Sequence, residues 1–171
     1  MTTLYVDNIA PNLQSKISAP NLQLPSGSVV QVVQTSSSAD ESTTSTSFVD
    51  SNLSVNITPS STSSKILVSY YTSVRKAPGD TNNAVFIQLL RDSTVITAQD
   101  YIAWNQQSQY GQGGVSVCHL DSPSTTSATS YKIYINSRSG YTAAYNRTAN
   151  DTDAGYTIRP RSTITVMEIE G

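Results

Sequence analysis

Residues 52–57 read NLSVNI, and their apolar side chains fall at every second position. Because successive side chains of a β-strand point to opposite faces of a sheet, this alternation predicts a strand with one buried face and one wet face. Tyr131, Ile133 and Ile135 repeat the pattern, and residues 164–168 follow it less regularly. We therefore expect antiparallel strands that are half buried.

Strand signals recur along the rest of the chain. Val, Ile, Thr and Tyr dominate the apolar stretches, and polar clusters rich in Ser, Thr, Pro and Gly separate them. Nine segments are the best candidates for strands: 28–35, 48–57, 65–74, 84–91, 94–104, 114–120, 130–138, 140–146 and 162–170. Short strands at this spacing predict an all-β fold, an antiparallel β-sandwich or jelly roll of about eight strands.

The first 27 residues differ from the rest. Pro11, Pro20 and Pro25 interrupt the segment, so it cannot lie inside a sheet. We expect an extended N-terminal arm over residues 1–27 and a head domain over residues 28–171. A disordered tail is the alternative, but disordered tails carry few apolar side chains, and this arm has seven that a partner could bind: Leu4, Val6, Ile9, Leu13, Ile17, Leu22 and Leu24.

Composition and charge exclude several classes of protein. The chain has 171 residues and a net charge of −2, and 13% of its residues are charged. A surface without a basic excess offers little to a phosphate backbone, so we expect no nucleic-acid binding. No apolar run approaches the roughly 18 residues of a membrane span, and residues 1–11 lack the basic and apolar regions of a signal peptide. We expect no membrane insertion and no signal peptide.

No group of residues has the pattern of a catalytic or metal site. Cys118 and His119 are adjacent in a predicted strand, so their side chains diverge and cannot form a catalytic pair. We interpret Cys118 as a small buried apolar residue, and His119 as a metal ligand only if a three-fold axis gathers its copies. Residues 150–155 are typical of a turn, since the later ligands of a calcium loop are missing. We expect no enzyme activity, no metal and no cofactor.

Tyrosine is the dominant aromatic residue. It occurs ten times, against two phenylalanines and one tryptophan. Exposed tyrosine and tryptophan rings stack on sugars or form the centres of protein interfaces. We therefore take Trp104, Tyr110, Tyr141 and Tyr145 as candidate contacts with a surface glycan or another receptor. The alternative is that these rings are half-buried residues of the sandwich.

Hydroxyl-rich connections separate several predicted strands, most clearly at residues 35–47, 58–64 and 121–130. The second and third both lead into a strand that carries a lysine, Lys65 or Lys132. We expect these two connections to be equivalent in the fold, and we assign them no chemistry.

Four segments form a pattern that extends from the first predicted strand to the last. Residues 4–11 read LYVDNIAP, residues 27–34 read GSVVQVVQ, residues 63–68 read SSKILV, and residues 162–169 read STITVMEI. Together they resemble segments of bacteriophage tail-fibre and virion appendage proteins, especially those of phages that infect cyanobacteria and marine bacteria. The resemblance covers most of the chain, although the repeated shaft of long fibres is missing.

This resemblance implies a non-enzymatic virion protein, located on the tail or on the capsid surface. Its arm would dock on other virion proteins, such as a tail adaptor, a baseplate protein or the capsid. Its head would form a homotrimer that attaches to the host surface, as in a short tail fibre or appendage. Two alternatives stay open: a capsid decoration protein whose arm bridges capsomers, and a carbohydrate-binding module with an aromatic platform on one sheet face.

Overall fold

The computed structural model describes residues 24–77, 84–97, 100–103, 111–148, 151, 154–155 and 158–171. These residues form eleven strands, which we number in chain order. The strands are β1 (Val29–Ser37), β2 (Glu41–Thr43), β3 (Val49–Ile57), β4 (Lys65–Lys76), β5 (Ala84–Arg91), β6 (Thr94–Val95), β7 (Asp100–Ala103), β8 (Gly111–Asp121), β9 (Thr129–Ser137), β10 (Ala143–Tyr145) and β11 (Ser162–Ile169).

The first sheet, sheet A, contains β1, β2, β4, β8, β10 and β11. Strand β1 pairs with β11 and strand β2 pairs with β10, all antiparallel. Strands β10 and β11 both pair with β4, whose opposite edge pairs with β8. Because β1 and β2 follow one another, and β10 and β11 lie along the same edge of β4, sheet A is four strands wide.

The second sheet, sheet B, contains β3, β5, β6, β7 and β9. Strand β9 lies between β3 and β5, and the other edge of β5 pairs with β6 and then with β7. This sheet is also four strands wide, since β6 and β7 share one edge. A shift of register between Asp50 and Leu53 marks a bulge in β3, where Asn52 has a φ of 59°.

The order of strands is that of a jelly roll. With β1 and β2, β6 and β7, and β10 and β11 each taken as one interrupted strand, the chain has eight strand positions. In chain order, positions 1-8-3-6 form sheet A and positions 2-7-4-5 form sheet B. Two facing antiparallel sheets of four strands with these crossings make up the jelly-roll form of the β-sandwich. The predicted fold class is confirmed.

The core lies between the two sheets. Alternate residues of the strands point inward, for example Leu53, Val55 and Ile57 of β3 and Ile66 and Val68 of β4, all at most 3% exposed. These inward-facing side chains are the apolar residues that alternate in the sequence, and for this reason the positions of the strands could be predicted from it. Burial of such side chains is the main favourable contribution to folding.

Most of the predicted strands lie close to the observed ones, and four predictions need correction. The predicted strand 94–104 is two strands, β6 and β7. The predicted strand 140–146 shortens to β10. The hydroxyl-rich connection 35–47 contains the end of β1 and all of β2. Cys118 is exposed rather than buried, because in β8 it is the alternate residues Val115 and Val117 that turn toward the core.

Candidate binding surfaces

The chain enters the head at one end of the sandwich, which we call the entry end. The main-chain N–H of Gly27 donates to the carbonyl of Glu170 at 2.8 Å, and the N–H of Glu170 donates to the carbonyl of Ser28 at 2.9 Å. Just before this, Ser28 N–H donates to the Pro25 carbonyl at 3.0 Å, closing a turn in which Gly27 has a φ of +88°. The N-terminal arm and the C-terminus therefore meet the head at the same end.

Of the predicted arm contacts, Leu24 lies within the described residues, at the entry end, and its side chain is 40% exposed. The other six, Leu4, Val6, Ile9, Leu13, Ile17 and Leu22, lie outside the described residues, as does most of the predicted arm. Docking through these residues stays a prediction.

The opposite end of the sandwich, the far end, gathers the strand ends that flank most of the predicted receptor contacts. In sheet A, Lys76 pairs with both Gly111 and Ala143, and in sheet B, Ala84 pairs with Ala103. The connection from β9 to β10 turns here. The main chain links this connection to both sheets, because Ala77 N–H donates to the Thr142 carbonyl at 2.8 Å and Arg138 N–H donates to the Ala84 carbonyl at 3.0 Å.

Two of the four predicted receptor contacts, Trp104 and Tyr110, lie outside the described residues. They belong to the connection between β7 and β8, whose flanking residues Ala103 and Gly111 are both at the far end. Tyr141 lies at the far end as well, and its side chain is 43% exposed. Position 140 is a glycine with a φ of +76°, and it approaches the main chain at Thr44.

The prediction of a surface contact through Tyr145 is wrong. Tyr145 pairs with Val74, a core residue, so its ring points into the sandwich and is 1% exposed. Its hydroxyl donates to the main-chain carbonyl of Ser51 in sheet B. Burial, followed by the negative charges of Glu41, Asp50 and Asp40, raises the pKa of Tyr145 to about 12. This tyrosine joins the two sheets and is not available to a receptor.

The hydroxyl-rich connection from β3 to β4 binds a buried carboxylate that the sequence analysis did not identify as functional. Glu168 of β11 is fully buried. Its Oε1 accepts the hydroxyls of Ser60 and Ser64 at 2.6 and 2.7 Å and the N–H of Ser60 at 2.7 Å. Its Oε2 accepts the amide of Gln31 at 2.5 Å. Burial alone would raise the pKa of Glu168, but these hydrogen bonds outweigh it and lower the pKa to about 2.

The connection from β8 to β9 is fixed by a second buried carboxylate at the entry end. Arg91 Nη1 lies 2.8 Å from both carboxylate oxygens of Asp121, and the hydroxyl of Tyr131 donates to Asp121 Oδ2 at 2.7 Å. Burial, and then the hydrogen bond to Asp121, raises the pKa of Tyr131 far above its usual value. The two hydroxyl-rich connections, predicted to be equivalent, do lie at the same end, and each begins or ends beside a buried acid.

Oppositely charged side chains fasten the segment between β10 and β11. Arg159 lies 3.0 Å from Asp40 and 2.9 Å from Asp151, and Arg147 lies 3.0 Å from Asp151. The hydrogen bond from Arg159 holds the pKa of Asp151 below its usual range. Two guanidinium groups face two carboxylates, so the group is electrically balanced and Asp151 serves as an acceptor for arginine. Within the described ranges, no three His, Cys, Asp or Glu residues are placed to hold a metal ion.

His119 and Cys118 follow one another in β8, where Cys118 is exposed and His119 is half buried. In the pairing of β8 with β4, His119 lies opposite Val68 and Cys118 lies opposite Ser69. In the part of the chain that the structure describes, no helix is long and apolar enough to cross a membrane.

Two solved structures from one virus are similar to this chain over part of their length. The structure of the infectious bursal disease virus Gt strain matches with a TM-score of 0.38 and 12% identity, over 92% of this chain and 42% of the other. The crystal structure of the infectious bursal disease virus VP2 subviral particle matches with a TM-score of 0.38 and 14% identity, over 88% of this chain and 40% of the other. The chain therefore spans about two fifths of the length of those chains.

No protein-family model matches the chain, and no curated protein sequence matches it. A similarity of this degree assigns no function. The assignment as a jelly roll rests on the strand order of the chain itself.

Proposed function

We propose that the chain is a non-enzymatic structural protein of a bacteriophage virion, a short tail fibre or appendage. Its N-terminal arm, residues 1–27, docks on another virion protein. Its head, residues 28–171, is a trimer that presents the far end to the surface of the host cell.

The observation that carries this proposal is the separation of the two ends. The arm joins the head at Gly27, which is hydrogen-bonded to Glu170 at the entry end. Tyr141 is exposed at the far end, where β7 ends at Ala103 and β8 begins at Gly111, the residues that flank the segment of Trp104 and Tyr110 in the sequence. A protein that docks through one end and binds through the other needs this polarity.

The chemistry of the far end supports binding to a glycan. Tyr141 offers an exposed aromatic ring, and the neighbouring connection at residues 44–47 carries four hydroxyl side chains. The two connections lie side by side at Gly140, since a Cβ placed there would be in van der Waals contact with the Thr44 carbonyl at 3.8 Å. Aromatic rings that stack on sugars beside hydroxyl groups that bind them are a usual combination in such sites.

The proposal is tested on the phage that carries this gene. Antibodies raised against the full chain are expected to label purified virions at the tip of the tail. Gold label on the capsid would favour the decoration protein instead, and virions without any label would contradict a structural role.

The same phage tests the far end through two single substitutions. Tyr141→Ala is expected to slow adsorption to the host about tenfold, because loss of an aromatic anchor costs on the order of 1–2 kcal/mol. Val95→Ala is the matched control, since Val95 is 47% exposed but follows β5 at the entry end. Equal adsorption by the Tyr141→Ala phage, or an equal loss in both, would contradict binding at the far end.

A further inference from the structure

The outer face of sheet A carries a row of apolar side chains that crosses all four strand positions. Val32 of β1 pairs with Met167 of β11, Met167 with Leu67 of β4, and Leu67 with Leu120 of β8. The row points away from the core, because the alternate residues of these strands are the ones that fill it. Val32 and Leu120, at its two ends, are 55% and 50% exposed.

The neighbouring rows of this face are polar but uncharged. The second row consists of Gln34, Thr165, Ser69 and Cys118. In the third row, three serine and threonine residues accompany Tyr71. These three rows, of four residues each, contain no charged side chain.

Charged side chains border the face instead. Lys65 is exposed beyond the apolar row, opposite Ile169. At the other limit, Arg161 reaches the third row, where its Nη1 donates to the hydroxyl of Ser36 at 3.2 Å. An uncharged, partly apolar face with charged side chains at its rim has the composition of a protein interface.

The size of the face suits an interface with another protein. Together with its charged rim, this part of the four strands is about nine residues long, and at about 4.8 Å between strands and 3.3 Å per residue it covers roughly 570 Å² in projection. Side-chain relief adds to this area, and a stable interface buries about 800 Å² on each partner. A charged partner would find no opposite charge on the face. A second copy of the chain suits the face, because copies of it that meet around a three-fold axis desolvate no ion and oppose no like charges.

We propose that the outer face of sheet A binds other copies of this chain, with the apolar row nearest to the axis of the trimeric head. This inference deepens the proposed function and rests on its trimer, for which it names the contact surface. The occupant of the face is thus a second copy, and Cys118, the single cysteine of the chain, lies inside the contact.

The first test is the solution mass of the full chain and of two variants. We expect about 55 kDa for the wild type, three times 18.4 kDa. Leu120→Glu is expected to lower the mass to that of one copy, because a carboxylate in an apolar contact must be desolvated. Val95→Glu is the matched control, since Val95 is similarly exposed but lies in sheet B, and it should keep the wild-type mass.

Alkylation of Cys118 by N-ethylmaleimide gives a second readout that does not depend on a variant folding. The thiol should react at least tenfold more slowly in the assembled wild type than after dilution to single copies, or than in Leu120→Glu. A wild type of 18.4 kDa at every concentration would overturn the inference, as would an unchanged mass of Leu120→Glu. Slow alkylation of a single copy would mean that the arm of the same chain covers the face, which also overturns it.

This result is separable from that of the virion experiments. If the isolated chain assembles through sheet A but virions carry no label, the proposed function fails while the contact surface stands. If virions are labelled but the isolated chain stays a single copy, the contact surface fails while the virion role stands.

Discussion

Glu168 occupies a core-facing position of β11, where an ionised side chain would ordinarily be costly. Four hydrogen bonds from Gln31, Ser60 and Ser64 satisfy both carboxylate oxygens. The donors come from β1 and from the connection between β3 and β4, so this one acid fastens that connection to sheet A. The serines of the connection thus have a structural task, which their composition alone did not indicate.

The charge of Glu168 makes stability depend on pH. Its pKa in the folded protein is about 2, below the ordinary value of 4.5, so the carboxylate stabilises the fold above pH 4.5 and loses this contribution as the pH falls toward 2. Glu168→Gln is expected to lower the free energy of unfolding at pH 7 by about 3 kcal/mol. The difference from the wild type should shrink between pH 4.5 and pH 2.

Urea unfolding at a series of pH values measures this difference. Glu170→Gln, two residues further along, is the control, and it should change stability by no more than about 0.5 kcal/mol. A Glu168→Gln variant as stable as the wild type at pH 7 would show that the four hydrogen bonds contribute nothing net.

At the scale of the elements, the side chain of Asn146 makes the hydrogen bonds that connect the end of β10 with its neighbours. Asn146 follows β10 with a φ of 52° and is fully buried. Its amide donates to the carbonyls of Ser37 and Ala39 at 2.9 and 3.1 Å, where β1 gives way to β2. Its Oδ1 accepts the hydroxyl of Ser162, the first residue of β11, at 2.6 Å. One asparagine therefore connects the breaks in two neighbouring strands, through main-chain carbonyls at one and through a serine hydroxyl at the other.

Replacement of Asn146 separates its backbone role from its hydrogen bonds. Asn146→Ala is expected to cost about 3 kcal/mol, because it leaves buried carbonyls unpaired and puts alanine, which tolerates the left-handed region less well than asparagine, at a φ of 52°. Asn146→Gly should recover about 1 kcal/mol of that loss. Asn52→Ala, at an exposed position with a φ of 59°, loses one exposed hydrogen bond to Glu41 besides the backbone part, and it should cost only about 1 kcal/mol. Denaturant midpoints that rank Asn52→Ala and Asn146→Ala as equal would contradict this division.

The strands were predictable from sequence wherever packing imposes a period of two. Leu53, Val55 and Ile57 face the core at alternate positions, and β3 ends where the alternation ends. Strand β2 has no apolar residue, so no sequence pattern predicts it. Only its main-chain pairing with β10 makes it a strand. The split of 94–104 into β6 and β7 was equally hidden, because Val95 and Ile96 continue the apolar run across it.

The candidate contacts were less predictable than the strands. A tyrosine ring is common both in cores and on surfaces, so residue type alone does not decide the side to which Tyr145 points. Its inward direction follows only from the pairing of β10 with β4, in which Tyr145 lies opposite the core residue Val74. Cys118 was assigned to the core from its residue type, whereas the parity of β8 turns it outward. The donors to Glu168 lie more than 100 residues away in sequence, so no local sequence pattern could predict these hydrogen bonds.

At the scale of the whole molecule, two buried tyrosine hydroxyls tie the sheets together. Tyr131 of sheet B donates to Asp121 of sheet A, and Tyr145 of sheet A donates to Ser51 of sheet B. The two links lie toward opposite ends of the sandwich, since Tyr131 pairs with Arg91 at the entry end and Tyr145 pairs with Val74, two residues before the end of β4 at the far end. Each hydroxyl must stay protonated to donate, which makes the association of the sheets sensitive to alkali.

Alkaline pH is therefore expected to separate the sheets. The pKa of Tyr145 in the folded protein is about 12, and that of Tyr131 is also raised, while both fall to about 10 on unfolding. Stability from these groups is complete below pH 10 and is lost as the pH rises through their folded values, by about 2 kcal/mol at pH 12 for Tyr145, while Tyr131 adds a loss in the same direction. Urea unfolding between pH 8 and pH 12 measures the loss. Tyr131→Phe should be about 1 kcal/mol less stable at pH 8 and fall less steeply above pH 10, because it lacks one ionising hydroxyl. A slope as steep as that of the wild type would show that the link between Tyr131 and Asp121 does not hold the sheets together.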